Sequence, residues 1–271
     1  MLHHETRVAK LDQSAAAVLE VADLCVRFGG VQALDGVGFS AAAGQLTAII
    51  GPNGAGKTTI FNCVSGLAPS TGRILITGQD MTGVSVHRRA RLGLARTFQT
   101  PTLLEEATVW QNVTLGLLTE ASPWSPQPLE SAGGTDRCRR AVAALGLTHL
   151  AHEKVARLPH ALRRRTELAR AVAAEPRLLM LDEPAAGLGP AEAADICGAA
   201  ARPVLARGGA VLLVEHSVEL VMGIADQVVA LDAGIIIASG APQEVRRDPA
   251  VIASYFGDEP AGQRLAGGEI T

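Results

Sequence analysis

The chain has 271 residues, of which 48% are hydrophobic and 19% are charged, so its composition predicts a folded globular protein of one or two domains. Its formal net charge of -3 provides no basic field for a nucleic-acid backbone, and we expect no nucleic-acid partner. The four cysteines lack the paired spacing of a zinc site, and no apolar run reaches the ~18 residues that span a bilayer.

The first predicted elements form a β-layer. Residues 1–16 are expected to be a flexible N-terminus, which lacks the apolar segment of a secretory signal. Residues 17–26 and 37–40 are rich in β-forming side chains and indicate antiparallel strands. Phe28 lies between these strands, beside two glycines. Its position favours a core aromatic at a turn, and the alternative is a platform for an adenine ring.

A glycine-rich loop follows a predicted buried strand at residues 46–50 and precedes a predicted helix. Its glycines let successive N–H groups point at a phosphate chain, and the helix N-terminus adds positive potential. Lys57 is predicted to contact the β- and γ-phosphates, and the Thr58 hydroxyl to bind magnesium. A glycine-rich turn that binds nothing would not explain these two residues. The predicted nucleotide-binding residues of the loop are Gly51, Asn53, Gly54, Ala55, Gly56, Lys57, Thr58 and Thr59.

The middle of the chain is predicted to be mainly helical. Its predicted elements are a strand at residues 73–76, a basic helix at 87–94, an apolar helix at 109–118, and amphipathic helices at 137–145 and 166–174. Residues 122–134 are rich in proline and glycine and predict a surface loop. These helices stand between strand-rich parts of the chain. We therefore expect a helical subdomain at about residues 100–176, inserted in an α/β core.

Strands resume with two continuously apolar runs, at residues 178–181 and 211–214, which are typical of parallel strands covered on both faces. Residues 191–205 predict the helix that connects them, and residues 228–238 predict a hairpin. Residues 259–271 are expected to be a flexible tail. The carboxyl ends of parallel strands gather at one edge of a sheet, which is where α/β proteins bind ligands.

Together these elements predict a single domain over residues 17–258. Its fold class is α/β, a phosphate-loop NTPase core with a parallel sheet, an N-terminal antiparallel β-layer and an inserted helical subdomain.

Acidic residues and a histidine follow the apolar strands at the sheet edge. Asp182 is predicted to hold magnesium, and Glu183 to orient and deprotonate the water that attacks the γ-phosphate. A solvated acidic pair is the alternative, but the four preceding apolar residues and Pro184 favour the catalytic interpretation. His216 follows the next strand. Its spacing alone leaves open whether it contacts the γ-phosphate or is an exposed histidine.

The order of these motifs resembles that of ATP-binding-cassette (ABC) ATPases. The amino-acid sequences of these motifs are similar to those of the branched-chain amino acid importer subfamily, and the resemblance covers residues 19–257. The segments that carry it are Arg27-Phe28-Gly29-Gly30, the phosphate loop, Ala95-Arg96-Thr97-Phe98-Gln99, residues 181–188, Leu213-Val214-Glu215-His216 and residues 242–249.

The resemblance implies roles for individual positions. It implies that Phe28 stacks on adenine, which reverses the interpretation from the sequence pattern alone. Gln99 takes the position of a glutamine that contacts magnesium and the attacking water and links the core to the helical subdomain, where family members dock on a permease. Asp182 takes the magnesium-binding role, Glu183 the general-base role and His216 the γ-phosphate-sensing role.

One motif departs from the family pattern. The family's signature, which carries serine and glycine, opens a helix near Leu158 and closes over the γ-phosphate bound by the other subunit. Here Pro159 offers neither a hydroxyl nor an N–H, and Ala161 places a Cβ where glycine lets the backbone approach phosphate. We interpret the arginines at residues 163–165 as a solvated basic face, and the alternative is that they supply compensating charge. The expectation is a heterodimer in which the site closed by residues 158–162 hydrolyses ATP slowly.

The resemblance thus implies an ATP-binding and ATP-hydrolysing subunit of an ABC importer, with ATP and Mg²⁺ as ligands and branched-chain amino acids as the expected cargo. The expected partners are a second ABC ATPase subunit, transmembrane permease subunits and, indirectly, a periplasmic or extracellular solute-binding protein. The expected location is peripheral, on the cytoplasmic face of the cell membrane. The alternatives are a non-catalytic nucleotide-binding subunit and a soluble ABC ATPase without a transport role.

Overall fold

The computed structural model describes residues 16–98, 102–119 and 132–256. The predicted tail, nearly all of the predicted N-terminal segment, most of the predicted loop at 122–134 and Gln99 lie outside this part. The strands are β1 (Ala17–Phe28), β2 (Val31–Ala42), β3 (Leu46–Ile50), β4 (Thr71–Ile76), β5 (Gln79–Asp80), β6 (Leu94–Arg96), β7 (Leu178–Asp182), β8 (Ala210–Val214), β9 (Gln227–Asp232) and β10 (Ile235–Gly240). The helices are α1 (Lys57–Ser65), α2 (Val86–Arg91), α3 (Val109–Thr114), α4 (Ala132–Ala144), α5 (His160–Ala173), α6 (Pro190–Leu205), α7 (Val218–Ile224), α8 (Pro242–Val245) and α9 (Pro249–Phe256).

The main sheet has the strand order β10-β9-β3-β8-β7-β6. All neighbours in it are parallel except β9 and β10, which form the predicted hairpin. Asp182 of β7 pairs with Val214 of β8, and Val214 pairs with Ile49 of β3. Three strands therefore end level with one another. This register brings the phosphate loop and the residues that follow β7 and β8 to the same edge, as the sequence predicts.

Both faces of the main sheet are covered, which explains why its central strands are apolar throughout. Alternate residues of each strand enter two different hydrophobic clusters. Leu179 and Leu181 pack with the helical part of the chain, in a cluster that includes residues of α3 to α6. Leu178 and Met180 pack on the other face with α1 and the antiparallel layer. The layered α/β fold class is confirmed.

The antiparallel layer has the strand order β2-β1-β4-β5. The prediction of a short strand at residues 37–40 is wrong in extent, because β2 runs over 12 residues. Its pairing with β1 is interrupted by several register shifts, and only one side of β2 is buried along most of its length. Local irregularity and exposed polar residues hide such a strand from a pattern of alternating hydrophobicity.

Helices α3, α4 and α5 lie between β6 and β7 in the chain and pack on one another. Several boundaries in this region differ from the prediction. The basic helix ends at Arg91 and is followed by the short strand β6, while α4 and α5 begin earlier than their apolar residues indicated. Over the described ranges, no helix has both the length and the apolar character to cross a bilayer.

Candidate nucleotide-binding and catalytic site

The phosphate loop connects the end of β3 to the start of α1 and packs closely against neighbouring strands. A Cβ at Gly51 would collide with the carbonyl oxygen of Leu231, at the end of β9. A Cβ at Gly56, where φ is +107°, would lie 2.7 Å from Leu34 Cδ2 of β2. Glycine is therefore required at both ends of the loop by close packing as well as by backbone conformation.

Lys57 is held by the loop itself. Its side chain is buried, and its Nζ donates hydrogen bonds to the carbonyl oxygens of Gly51 at 2.7 Å and Pro52 at 2.9 Å. Burial lowers the pKa of Lys57, and the nearby carboxylate of Glu183 opposes this effect. The ammonium group thus lies at the loop with backbone oxygens as its partners, at the position where phosphate oxygens are expected.

A cleft of about 270 Å³ opens above the loop. Its wall is formed by seven of the predicted loop residues together with Glu183, His216 and Ala33. Gly51 is buried beneath the loop, and the Thr58 side chain is exposed. The structure therefore brings the predicted phosphate-binding residues and two predicted catalytic residues together around a single space.

Glu183 and His216 contact each other across the cleft. Glu183 Oε1 lies 2.7 Å from His216 Nε2, within hydrogen-bonding distance. The backbone of Glu183 is left-handed, with φ of +48°, and its N–H donates to the carbonyl oxygen of Val214 at 2.9 Å. This bond joins the residue after β7 to the end of β8. The predicted base and the predicted phosphate sensor are thus held by two adjacent strands.

Glu215 is a buried residue of the site to which the sequence analysis assigned no role. One of its carboxylate oxygens accepts a hydrogen bond from the Ala185 N–H at 2.8 Å, and the other accepts one from the His216 N–H at 3.3 Å. Burial raises the pKa of Glu215, and these two backbone donors oppose the shift. Glu215 thereby ties the segment after Glu183 to the segment that carries His216. Its position directly after the apolar strand β8 is the feature of the sequence that could have indicated a role in the site.

Asp182 is buried at the end of β7, and only one of its two carboxylate oxygens has a hydrogen-bond partner among the described residues. Its Oδ2 accepts a hydrogen bond from Arg96 at 2.8 Å, while its Oδ1 has no hydrogen-bond partner within the described part of the chain. Burial raises the pKa of Asp182, and Arg96 opposes this effect. The Oδ1 of Asp182 and the Thr58 hydroxyl are both hard oxygen donors, the type of ligand that magnesium prefers.

Arg96 is the second partner that the sequence did not reveal. Its guanidinium lies 5.4 Å from the centre of the Phe61 ring and 5.1 Å from that of Phe98, in cation–π contact with both. It also donates to Asn62 Oδ1 and Ser65 Oγ of α1, both at 2.8 Å. A single arginine thus connects β6 and α1 to the carboxylate of Asp182.

Phe28 is not a core residue. Its side chain is 53% exposed at the end of β1, so the interpretation of a core aromatic is wrong. It pairs with Val31 of β2, and Ala33 of the same strand lines the cleft. An exposed aromatic ring on the strand next to one that lines the cleft has the free apolar surface that an adenine platform requires.

The arginines after the unusual signature are not a solvated face. Arg164 has only 1% of its side chain exposed, and Arg163 and Arg165 are half-buried. Arg163 pairs with Glu105, and Arg165 pairs with Asp195 at 2.5 Å. Arg164 pairs with Glu167 at 2.7 Å in the interior. The sequence pattern predicted that these arginines are solvated because it could not show where their acidic partners lie. Glu105 and Asp195 are distant in sequence, and Glu167 is on the same helix but is itself buried.

Pro159 directly precedes the first residue of α5.

Comparison with known proteins agrees with this geometry. A family model described as ABC transporter matches residues 34–186, and one described as branched-chain amino acid ATP-binding cassette transporter matches residues 236–261. The high-affinity branched-chain amino acid transport ATP-binding protein BraF of Pseudomonas aeruginosa is 37% identical over 89% of this chain and 98% of its own length. LivG of Escherichia coli, a protein with the same description, is 35% identical over the same shares. A crystal structure of the ADP conformation of an ATP-binding cassette of an ABC transporter superimposes with a TM-score of 0.79 at 31% identity, over 89% of this chain and 99% of that one. The chain therefore belongs to the ABC transporter family, as an ATP-hydrolysing subunit.

Proposed function

We propose that this chain powers the import of branched-chain amino acids. The observation that carries the proposal is the cleft in which the phosphate loop faces Glu183 and His216. The cargo is inferred from BraF and LivG, which are branched-chain amino acid transport proteins, and from the subfamily match at residues 236–261. The proposed domain comprises residues 17–258, with the helical subdomain at about residues 100–176.

The proposed hydrolytic step uses donors and acceptors already in place. Lys57 Nζ exchanges its two backbone oxygens for the β- and γ-phosphates of ATP. Glu183 accepts the proton of the attacking water, and His216 Nε2 orients that carboxylate and faces the γ-phosphate. These groups act in a cleft where their geometry is set before the reaction begins.

The remaining predicted residues bind the other parts of the nucleotide. Phe28 offers an exposed ring on which the adenine stacks. Asp182, Thr58 and Gln99 would hold Mg²⁺, which supplies positive charge to the phosphoryl group during transfer. The Oδ1 of Asp182, which has no hydrogen-bond partner in the described ranges, supports this assignment.

An apolar groove supports a permease as partner. It has a volume of about 260 Å³ and is lined by residues of α2, β6, α5 and the turn at Leu115–Thr119. Leu67, Val86 and Phe98, at its rim, are 50%, 40% and 42% exposed. We propose that a cytoplasmic loop of the permease covers these side chains. The chain would then be peripheral on the cytoplasmic membrane face and would communicate with a solute-binding protein through the permease.

Reconstitution in proteoliposomes tests the proposed cargo. The vesicles would contain the chain, its permease and a second ATPase subunit, and would be supplied with the solute-binding protein. We expect ATP-dependent uptake of radiolabelled leucine, isoleucine and valine that exceeds uptake of urea or short amides. ATP-dependent uptake of urea or amides alone would show that the cargo assignment is wrong while leaving the ATPase assignment intact.

We also propose that the two composite ATP sites of a heterodimer differ. The site that contains Glu183 would be closed by the partner's signature, whereas residues 158–162 would close the partner's site. Pro159 lacks an N–H at the start of α5, and removal of one transition-state donor typically costs about 10²- to 10³-fold in rate.

Glutamine substitution tests this asymmetry. Glu183→Gln is expected to abolish most ATP turnover by the assembled transporter, while the equivalent substitution in the partner subunit has a smaller effect. Phosphate release and binding of labelled ATP would be measured for both. Glu192→Gln, at an exposed position in the first turn of α6, is the matched control. Equal losses from the two catalytic substitutions would contradict the proposed asymmetry, and full turnover with Glu183→Gln would support a non-catalytic subunit.

A further inference from the structure

Arg164 is a buried arginine that reaches three elements of the site at once. Its Nη1 donates to the Phe98 carbonyl oxygen at 2.9 Å and to Glu167 Oε2 at 2.7 Å. Its Nη2 donates to the carbonyl oxygen of Glu183 at 3.0 Å. Phe98 directly precedes Gln99, and Arg164 itself lies in the second turn of α5, shortly after the unusual signature. The guanidinium therefore joins α5, the segment after β6 and the catalytic segment after β7.

The backbone of Glu183 needs such support. A left-handed conformation with φ of +48° is unfavourable for a residue with a Cβ, and it persists only where neighbouring groups hold it in place. The N–H of Glu183 is held by Val214, at the end of β8. Its carbonyl oxygen accepts from the Ala186 N–H at 3.2 Å as well as from Arg164. The backbone N–H and the backbone carbonyl of Glu183 are thus both hydrogen-bonded, and Arg164 provides a side-chain donor to the carbonyl.

We propose that Arg164 is a positioning residue for ATP hydrolysis. By holding the Glu183 carbonyl, it keeps the Glu183 carboxylate beside His216, in the orientation needed to accept a proton from water. Arg164 belongs to α5, and its guanidinium bonds the carbonyl oxygens of Phe98, after β6, and of Glu183, after β7. Movement of α5 relative to the main sheet is therefore transmitted to Glu183. This inference rests on the proposed role of Glu183 as the general base.

The arrangement requires arginine in particular. A planar guanidinium presents several N–H groups in fixed directions, so it serves two carbonyl oxygens and a carboxylate together. A lysine carries its charge at a single nitrogen. It can remain paired with Glu167 in the interior, but it cannot bond Phe98 and Glu183 with the same geometry. Arg164→Lys therefore separates the structural ion pair from the positioning contacts.

The test compares Arg164→Lys with Arg165→Lys in the assembled transporter. Arg165 is the next residue of α5, and it bonds Asp195 and the Leu145 carbonyl oxygen, away from the cleft. For Arg164→Lys we expect kcat for ATP hydrolysis to fall about 10- to 100-fold while the KM for ATP changes less than about twofold. Arg165→Lys should leave both constants near wild type. Thermal unfolding of each variant is recorded alongside.

Two results would overturn the inference. One is a kcat for Arg164→Lys within about twofold of wild type. The other is a joint change in kcat, KM and unfolding temperature, which a merely structural ion pair would produce. Glu183→Gln is assayed in parallel, because turnover that survives this substitution would remove the proposed role of Glu183 itself. Loss of turnover in Glu183→Gln with normal kcat in Arg164→Lys would reject only the positioning role.

Discussion

At the scale of single residues, burial separates the four cysteines into two groups. Cys63, Cys138 and Cys197 are buried, whereas Cys25 is half-buried on β1, an inner strand of the antiparallel layer. Burial raises the pKa of all three core thiols, and that of Cys197 rises to about 12. The thiolate is the reactive form of cysteine. These three cysteines therefore react slowly with thiol reagents, because they are inaccessible and because they remain protonated. They are apolar core residues.

Thiol labelling checks this assignment. At pH 8 in the native protein, Cys25 should react with Ellman's reagent much faster than Cys63, Cys138 and Cys197, and all four should react rapidly in denaturant. Cys25→Ser should remove the fast phase. A fast phase of two or more thiols in the native protein would show that the core thiols are accessible.

Only part of the candidate site could be predicted from the sequence. Lys57 and Thr58 adjoin the last glycine of the loop, and Glu183 follows a continuously apolar strand, so local patterns revealed them. Arg96 and Arg164 stand 86 and 19 residues from their respective partners Asp182 and Glu183. No local pattern shows that such pairs meet, and charged residues within a helical stretch normally indicate solvent. The interior network of the site emerged only from the fold.

At the scale of elements, the end of α1 depends on a side chain from another helix. Arg89 of α2 is buried, and its guanidinium donates to the Cys63 and Val64 carbonyl oxygens at 2.7 and 2.8 Å. It also donates to Met81 at 2.7 Å and to Val84 at 3.0 Å. The last carbonyl groups of a helix have no partner within the helix, so a buried helix end needs such donors. Arg89 thus fastens α2 to the helix that follows the phosphate loop.

Replacement of Arg89 by methionine keeps an apolar stem but removes every donor. We expect Arg89→Met to lower the free energy of unfolding by at least about 2 kcal/mol, because buried carbonyl groups lose their hydrogen bonds. Urea unfolding followed by circular dichroism provides the measurement. Arg88→Met is the matched control, since Arg88 is the preceding residue of the same helix and is exposed. An unchanged urea midpoint for Arg89→Met would contradict the structural role.

The same scale shows why some elements were predicted well and others were not. The strands β3, β7 and β8 are buried on both faces, so their apolar runs marked them almost to the residue. The strand β6 has three residues and includes the charged Arg96, and it follows a basic helix directly. The strand β6 is defined by its pairing with β7, which is a tertiary contact and cannot be predicted from the strand propensity of its own residues. Helix α5 begins with charged residues whose burial depends on partners elsewhere.

At the scale of the whole molecule, the apolar groove beside β6 lies at one edge of the main sheet. The helix α9 packs on β10, at the opposite edge. Transport requires that changes at the nucleotide cleft reach a membrane partner. Phe98 belongs to the groove through its side chain and to the Arg164 network through its carbonyl oxygen, so the two sites share a residue.

A charge placed in the groove tests the docking proposal. Val86→Asp should reduce co-purification of the chain with its permease by at least about tenfold, because an unpaired carboxylate would be buried in the interface. The isolated variant should bind ATP normally. Ile252→Asp on α9, a comparably exposed position at the far edge, is the control. Normal assembly of the Val86→Asp variant would argue against a permease loop in this groove.

The bonds of Lys57 to the Gly51 and Pro52 carbonyl oxygens have a consequence for ligand discrimination. A ligand that binds Lys57 must displace two neutral oxygen partners from a buried ammonium. Charged phosphate oxygens form stronger hydrogen bonds than carbonyls and make this exchange favourable, whereas an uncharged ligand gains nothing from it. The two carbonyl bonds of Lys57 therefore favour ligands that carry charged phosphate groups over uncharged ones.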